Sequence, residues 1–303
     1  MTTPLRLGTR RSLMATTQSQ MVADRLTAAT GRPVELVGVT TFGDVTKAHL
    51  AQLGGTGVFV SALRDKLVEG EIDFAVHSLK DLPTAPDERL SLAAVVARHD
   101  HRDALVGPLK LADLRPGATV GTGSPRRVAQ LRMLRPDLNY VPIRGNADTR
   151  IAKVHAGELD AVVLAAAGLF RIGRDDEIAQ TFEVEEMLPA PGQGALAVEC
   201  PADRPELIEL LRALDDPQTR AAVTAERAVL AALEAGCSAP VGAFALADGH
   251  TLNLTAVVVG IDGARAVRKS TAGSSDSAME LGRDLASAMI GEGADMLMGE
   301  QSH

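Results

Sequence analysis

Within five residues the chain brings together a histidine, a serine, a lysine and an aspartate, in the run His77-Ser78-Leu79-Lys80-Asp81-Leu82-Pro83. Such groups can bind an anion or move a proton, provided that one element presents them together. The preceding Gly70-Glu71-Ile72-Asp73-Phe74-Ala75-Val76 ends in apolar residues and predicts a buried strand. A strand running straight into polar residues delivers them to its carboxyl edge, where open α/β sheets bind ligands. An ordinary strand exit closed by a turn at Pro83 would read the same way.

A second concentration of chemistry is cationic. Between Thr119 and Arg150 lie Arg126, Arg127, Arg132, Arg135, Arg144 and Arg150, against only Asp137 and Asp148. The net charge of the whole chain is −8, which argues against general nucleic-acid binding. A local arginine run in an acidic protein suits a small polyanion, because the planar guanidinium grips two carboxylate or phosphate oxygens at once. Arginine outnumbers lysine 25 to 6, a ratio that genomic base composition can also produce, so position carries more meaning than count.

The elements needed to position these groups recur. Leu5-Arg6-Leu7-Gly8-Thr9-Arg10-Arg11-Ser12 leads into a helix predicted over Leu13–Thr30, and Thr119-Val120-Gly121-Thr122-Gly123-Ser124-Pro125-Arg126-Arg127 into one ending near Leu134. Each reads strand, Gly-Thr turn, serine cap, arginine, helix. Ser124 and Pro125 suit the N-cap and first helical positions, with Ser12 in the same role. Helix N-termini attract anions, and Arg10, Arg11, Arg126 and Arg127 lie beside them. Gly70–Val76 and Gly157–Val163 form a second repeated pair, each a turn and a buried strand. The order implies two similar α/β domains with a cleft between them, their arginines facing across it.

Strands are predicted over Val34–Thr41 and Ala195–Glu199, the latter returning to the first domain after the rigid turn Pro189-Ala190-Pro191-Gly192-Gln193-Gly194. Helices are predicted over Phe59–Glu69, Pro205–Leu214 and Pro217–Ala235. Strands Val241–Ala247, Thr251–Gly260 and Ala266–Thr271, followed by a helix over Asp276–Ile290, make a small α+β third domain. The expected boundaries are 1–97 plus 194–215, 98–193 and 216–303. Residues 42–57 read as a glycine-rich loop that is not a P-loop.

The 303 residues allow two or three domains, with 46% hydrophobic content and no tryptophan. No apolar run spans a membrane, and the N-terminus lacks a signal pattern, so a cytoplasmic protein is expected. Cys200 and Cys237 have no CxxC or zinc spacing. No metal site is expected, and His99-Asp100-His101-Arg102-Asp103 reads as a solvated loop. Cys200 reads as a packing residue at a strand end. Cys237, between Gly236 and Pro240, reads as a thiol on an exposed turn, a nucleophile once ionised. An anion-binding module would explain the duplicated domains but not this turn. A cysteine hydrolase could pair Cys237 with His77 but lacks a third orienting group.

Taken together these motifs resemble the porphobilinogen deaminase (hydroxymethylbilane synthase) family along nearly the whole chain. The resemblance rests on Gly8–Ser12, His77–Pro83, Gly121–Arg127, Arg144-Gly145-Asn146-Ala147-Asp148-Thr149-Arg150, Ala167–Arg171, Pro191–Ala195, and Glu226-Arg227 with Gly236-Cys237. It implies a cytoplasmic transferase that condenses four porphobilinogen molecules into a linear tetrapyrrole with loss of ammonia. The implied fold has three domains, the first two like periplasmic binding proteins around a cleft. The implied cofactor is a dipyrromethane held by a thioether to Cys237, contacted by Lys80, Asp81, Thr122, Ser124, Arg126, Arg127, Arg144 and Gly145. Arg10, Arg11, Ser12, Ser78, Arg150, Arg171 and Gln193 are implied to bind substrate, and Asp81 to be catalytic. The resemblance also implies a monomer and a product passed to uroporphyrinogen-III synthase. The chain departs from the commoner pattern at Gln52 and Thr56, where many relatives carry lysines, and at Ala235, where Gly-Gly-Cys is usual.

Overall fold

A computed structural model describes residues 3–39, 57–236 and 239–299. In chain order the first half holds β1 (Leu5–Arg10), α1 (Leu13–Thr30), β2 (Val34–Val39), α2 (Gly57–Val68), β3 (Phe74–Ser78), β4 (Leu90–Val96), β5 (Asp103–Val106) and β6 (Thr119–Gly121). Next come α3 (Pro125–Leu134), β7 (Asn139–Val141), α4 (Ala147–His155), β8 (Ala161–Ala165), α5 (Ala166–Arg171) and β9 (Ile178–Thr181). The remainder is β10 (Leu196–Pro201), α6 (Pro205–Leu211), α7 (Pro217–Ala232), β11 (Val241–Asp248), β12 (Thr251–Val259), β13 (Ala266–Ser274), α8 (Ala278–Ile290) and α9 (Ala294–Leu297).

The chain divides into two compact units, residues 1–98 with 195–220, and residues 99–194 with 221–303. The first is built on a five-stranded sheet ordered β2-β1-β3-β10-β4. β1 runs parallel to β2 and β3, while β10 is antiparallel to β3 and β4. Leu7, Phe74, Val198 and Cys200 bury on one face with Val22 and Leu26 of α1, and Ala75 turns to Leu63 and Leu67 of α2 on the other. Burial on both faces explains the near-continuous apolar strands. Ser12 Oγ accepts from Ala15 N at 3.3 Å, and Gly31 ends α1 at φ 70°, as the sequence predicts.

Asp73 enters β3 and ties the sheet together. Its carboxylate accepts from Arg6 N at 2.8 Å and from Arg204 Nη1 at 2.7 Å. Burial alone would raise its pKa, but these donors outweigh it and hold the carboxyl at about 2. A carboxyl depressed below its unfolded value stabilises the fold above about pH 4 and loses that contribution as pH falls toward 2. Asp73→Asn is therefore expected to cost about 1 kcal/mol at neutral pH, allowing for solvent screening, and to flatten the acid decline of the thermal midpoint. An unchanged slope between pH 4 and 2 would place that acid sensitivity elsewhere.

The second unit repeats the topology as β7-β6-β8-β5-β9, with β6 parallel to β7 and β8, and β5 antiparallel to β8 and β9. In each sheet the antiparallel strand second from the edge is contributed from outside the local βαβ run: β10 follows β9 in the chain, and β5 follows β4. Two crossovers of this kind fit the duplicated order read from the sequence. The second unit also holds an antiparallel sheet, β11-β12-β13. One face of it buries Ala243, Leu254 and Ala256 against Leu285 and Met289 of α8, Val229 of α7 and Leu233 just beyond it. Val257 and Val259 pack with Leu188 and Ala129 of α3. Arg132 of α3 donates to Ile261 O, and Arg268 of β13 to Glu185 O and Val184 O.

Three differences from the predicted elements have physical reasons. β3 extends to Ser78, because β10 pairs with it antiparallel through His77 and Ser78. Residues 212–214 form a separate 3₁₀ turn rather than the end of the helix over Pro205–Leu214. The helix expected to reach Ala235 stops at Ala232, where Glu234 takes φ 51° and Ala235 N donates to Leu230 O at 3.1 Å. This capping pattern usually carries glycine, and its absence hid the helix end. The glycine-rich loop over 42–57, with Gln52 and Thr56, lies outside the described residues except for Gly57.

Candidate functional site

In the first unit β3 leads directly into a 3₁₀ turn, Leu79–Asp81. Leu79 N donates to Ala195 O and Leu82 N to Leu79 O, both at 3.1 Å, so the turn is fixed to the sheet edge. Ser78 Oγ lies 3.3 Å from both polar atoms of the Gln18 side-chain amide on α1. His77 Nε2 stands 3.2 Å from Glu199 Oε2, and Arg64 donates to both oxygens of Glu199 at 3.0 and 2.7 Å. Burial works to raise the Glu199 pKa, but His77 and Arg64 outweigh it and leave the carboxyl depressed.

Asp81 follows the opposite course. Enclosure by protein pushes its carboxyl above the usual carboxylate range, while Lys80, Arg10 and His77 pull it back. The structure thus brings Arg10, His77, Lys80 and Asp81 into one electrostatic neighbourhood. Arg10 is half-buried at the end of β1, and Ser12 caps α1. Arg11 is exposed, its Nε 3.6 Å from where a Cβ on Gly38 would stand.

In the second unit β6 ends at Gly121, and Thr122 is buried. Ser124 is the N-cap of α3 and Pro125 its first residue, as predicted. Arg126 and Arg127 turn inward, and both meet Asp103. Arg126 Nη1 donates to Asp103 Oδ2 at 2.7 Å, and Arg127 donates to Asp103 Oδ1 through Nε at 2.9 Å and Nη2 at 2.7 Å. Gln193, with no exposed surface, adds a bond to the same Oδ1 at 2.9 Å and one to His101 O at 2.8 Å. Burial opposes ionisation of Asp103, yet the two guanidinium groups hold it well below the usual carboxylate range.

The remaining arginines flank this cluster. Arg150 of α4 donates to Gly145 O at 2.9 Å, and its pKa is lowered by burial and then by Arg127. Gly145 takes φ 110°, and a Cβ there would stand 2.3 Å from Thr149 Oγ1, so only glycine fits. Arg144 is exposed on the same loop. Arg171, at the end of α5, donates to Gly194 O at 2.7 Å. Gly194 takes φ 90°, with His99 O 2.7 Å from its would-be Cβ.

Asp103 and Glu199 are the residues that the local reading misses. The solvated loop expected at His99–Asp103 holds only as far as Arg102, which pairs with Asp100 at 2.9 Å. Asp103 itself opens β5 without exposure. A carboxylate followed by Ala-Leu-Val at a strand start was the available signal. Among the described residues no group of three or more His, Cys, Asp or Glu could hold a metal, and no helix is long and apolar enough to cross a membrane.

Cys200 is buried as expected, and burial pushes its thiol up to about 11. The folded chain is expected to take no alkylating label at Cys200 at pH 8, checked by peptide mapping after a short pulse. Cys237 lies outside the described residues. On its flanks Ala239 N donates to Gly236 O at 3.0 Å, and Val259 N to Pro240 O at 3.2 Å.

Comparison with known proteins bears on all of these segments. Residues 5–209 match the family described as porphobilinogen deaminase, dipyromethane cofactor binding domain, and residues 220–291 match the porphobilinogen deaminase C-terminal domain. A porphobilinogen deaminase of Thermobifida fusca is 62% identical over 99% of this chain and 97% of its own length. Porphobilinogen deaminase 1 of Streptomyces coelicolor is 59% identical over 98% of both chains. That of Mycobacterium bovis is 52% identical over 97% of this chain and 98% of its own. With both domain families matched in order, the chain belongs to the porphobilinogen deaminase family.

Proposed function

We propose that the chain is a porphobilinogen deaminase, a transferase that condenses porphobilinogen head to tail into hydroxymethylbilane with release of ammonia. The observation that carries this beyond family membership is the surplus of buried positive charge at the start of α3. Arg126 and Arg127 share a single carboxylate, and Arg126 Nε has no hydrogen-bond partner among the described residues. A ligand rich in carboxylates would relieve that imbalance, which fits a dipyrromethane bearing acetate and propionate groups.

When bound, the dipyrromethane supplies the pyrrole carbon to which substrate units add. Cys237 would hold it by a thioether, with Lys80, Thr122, Ser124, Arg126, Arg127, Arg144 and Gly145 around it. Arg10, Arg11, Ser12, Ser78, Arg150 and Arg171 would receive the acetate and propionate groups of porphobilinogen and of the lengthening product, whereas buried Gln193, expected from the sequence to join them, spends its amide N–H groups on Asp103 and His101 and would act only through Asp103. Asp81 would hydrogen-bond pyrrole N–H groups, offset the positive charge created as the amine departs, and exchange the proton that the departing amine needs. A monomeric state, a cytoplasmic location and hand-off of the product to uroporphyrinogen-III synthase belong to the same proposal.

The test is the intact mass of the denatured chain, with and without porphobilinogen. A covalent excess matching a dipyrromethane, together with ammonia release on adding porphobilinogen, is the expected result. A bare mass that porphobilinogen leaves unchanged would overturn the reading.

A further inference from the structure

Two arginines in the first turn of a helix are placed against its dipole, whose N-terminal end is itself positive. α3 has no acidic residue in that turn. Arg126 is 3% exposed and Arg127 is 6% exposed, so solvent does little to disperse their charge. Burial and the neighbouring Arg127 both lower the Arg126 pKa, and Asp103 acts against them. The compensation comes from β5, through Asp103, whose two oxygens are divided between the arginines: Oδ2 to Arg126 and Oδ1 to Arg127. The backbone completes the frame, with Leu188 O accepting from Arg126 Nη1 at 2.7 Å and Val163 O from Arg127 Nη1 at 2.9 Å. Gln193 donates to Asp103 Oδ1, and Arg126 Nε is left as a buried donor without a partner among the described residues.

We infer that Asp103 is a positioning residue for capture of the ligand's carboxylates. It aligns the Arg126 and Arg127 guanidinium groups before the ligand arrives and balances only one of their two charges, so that the arginines stay ordered yet still short of an anion. This rests on the cofactor reading proposed above and deepens it. A guanidinium pair without its internal carboxylate would have to be ordered by the ligand itself, at a cost in binding. Gln193 has the lesser part of the same function, because it holds Asp103 Oδ1 with a neutral donor.

The experiment uses chain produced in cells unable to make porphobilinogen. Porphobilinogen is then added, and covalent loading is followed by the intact mass of the denatured chain, well below each variant's own thermal midpoint. Asp103→Asn is expected to load about tenfold or more slowly than the unsubstituted chain, the scale of losing a charged hydrogen bond. Gln193→Met, which unpairs no charge, is expected to load severalfold more slowly and serves if Asp103→Asn does not fold. A lowered midpoint with loading at the unsubstituted rate would mean that Asp103 only supports the fold, and would overturn the inference while leaving the cofactor reading intact. An unsubstituted chain that takes up no mass from porphobilinogen would overturn the cofactor reading, and the inference with it.

Discussion

Asp81→Asn is expected to reduce porphobilinogen turnover by about 10²-fold or more while leaving the fold and the covalent adduct in place. Asparagine keeps the shape and one hydrogen-bond acceptor of the carboxylate, so the 3₁₀ turn that Leu79 N and Leu82 N anchor is undisturbed. What is lost is the negative charge and the exchangeable proton. Substrate consumption should be measured on protein whose adduct and thermal midpoint match the unsubstituted enzyme; near-normal turnover would remove Asp81 from the chemistry. A second result follows from its electrostatic setting. Burial raises the Asp81 pKa, and Lys80 is the strongest of the charges lowering it. Removing that cation in Lys80→Gln lets the pKa rise further, so Asp81 becomes protonated at a higher pH than before. The acidic limb of kcat/KM is therefore expected to move to higher pH in Lys80→Gln, and an unmoved limb would mean that another group titrates there.

The candidate residues of the two units were unequally legible in the sequence. α1 and α3 begin where predicted because their start signals are local: Ser12 caps one, and Ser124 with Pro125 starts the other. The repeated strand-turn-helix order was legible for the same reason, and it foretold two similar α/β domains, though not the strand order of their sheets. The carboxylates that answer the site's cations were not legible. Asp103 lies 24 residues before Arg127, and Glu199 lies 135 residues after Arg64. Both meetings exist because β5 and β10 enter their sheets as antiparallel strands that lie outside the local βαβ runs. Local patterning reports periodicity and caps, but not which strand a crossover will insert. His77 shows the consequence: its sequence context reads as a strand exit, whereas the inserted β10 pairs with β3 through His77 and Ser78, prolongs the strand and sets Glu199 3.2 Å from the imidazole.

Cys237→Ser is expected to yield a chain with no covalent pyrrole adduct and, with it, no turnover. Cys200 packs against the apolar face of the first sheet, with its pKa pushed up to about 11, so at neutral pH it is neither reachable nor ionised. That leaves Cys237, which follows α7 in the chain after a helix end formed without glycine at Glu234. Val229 of α7 and Leu233 just beyond it anchor this end of the helix in the core beneath β11 and β12, so serine at 237 should leave the thermal midpoint of the unloaded chain nearly unchanged. Serine is close to cysteine in shape, but its hydroxyl is far less nucleophilic than a thiolate and forms no thioether. The denatured mass after exposure to porphobilinogen decides the matter: a bare chain is expected, and a stable adduct in Cys237→Ser would place the attachment on another residue. Asp81→Asn and Cys237→Ser together separate the two functions assigned to the site. The first variant should carry the adduct and fail in turnover, whereas the second should fail already at loading, with Arg126, Arg127 and Asp103 still in place.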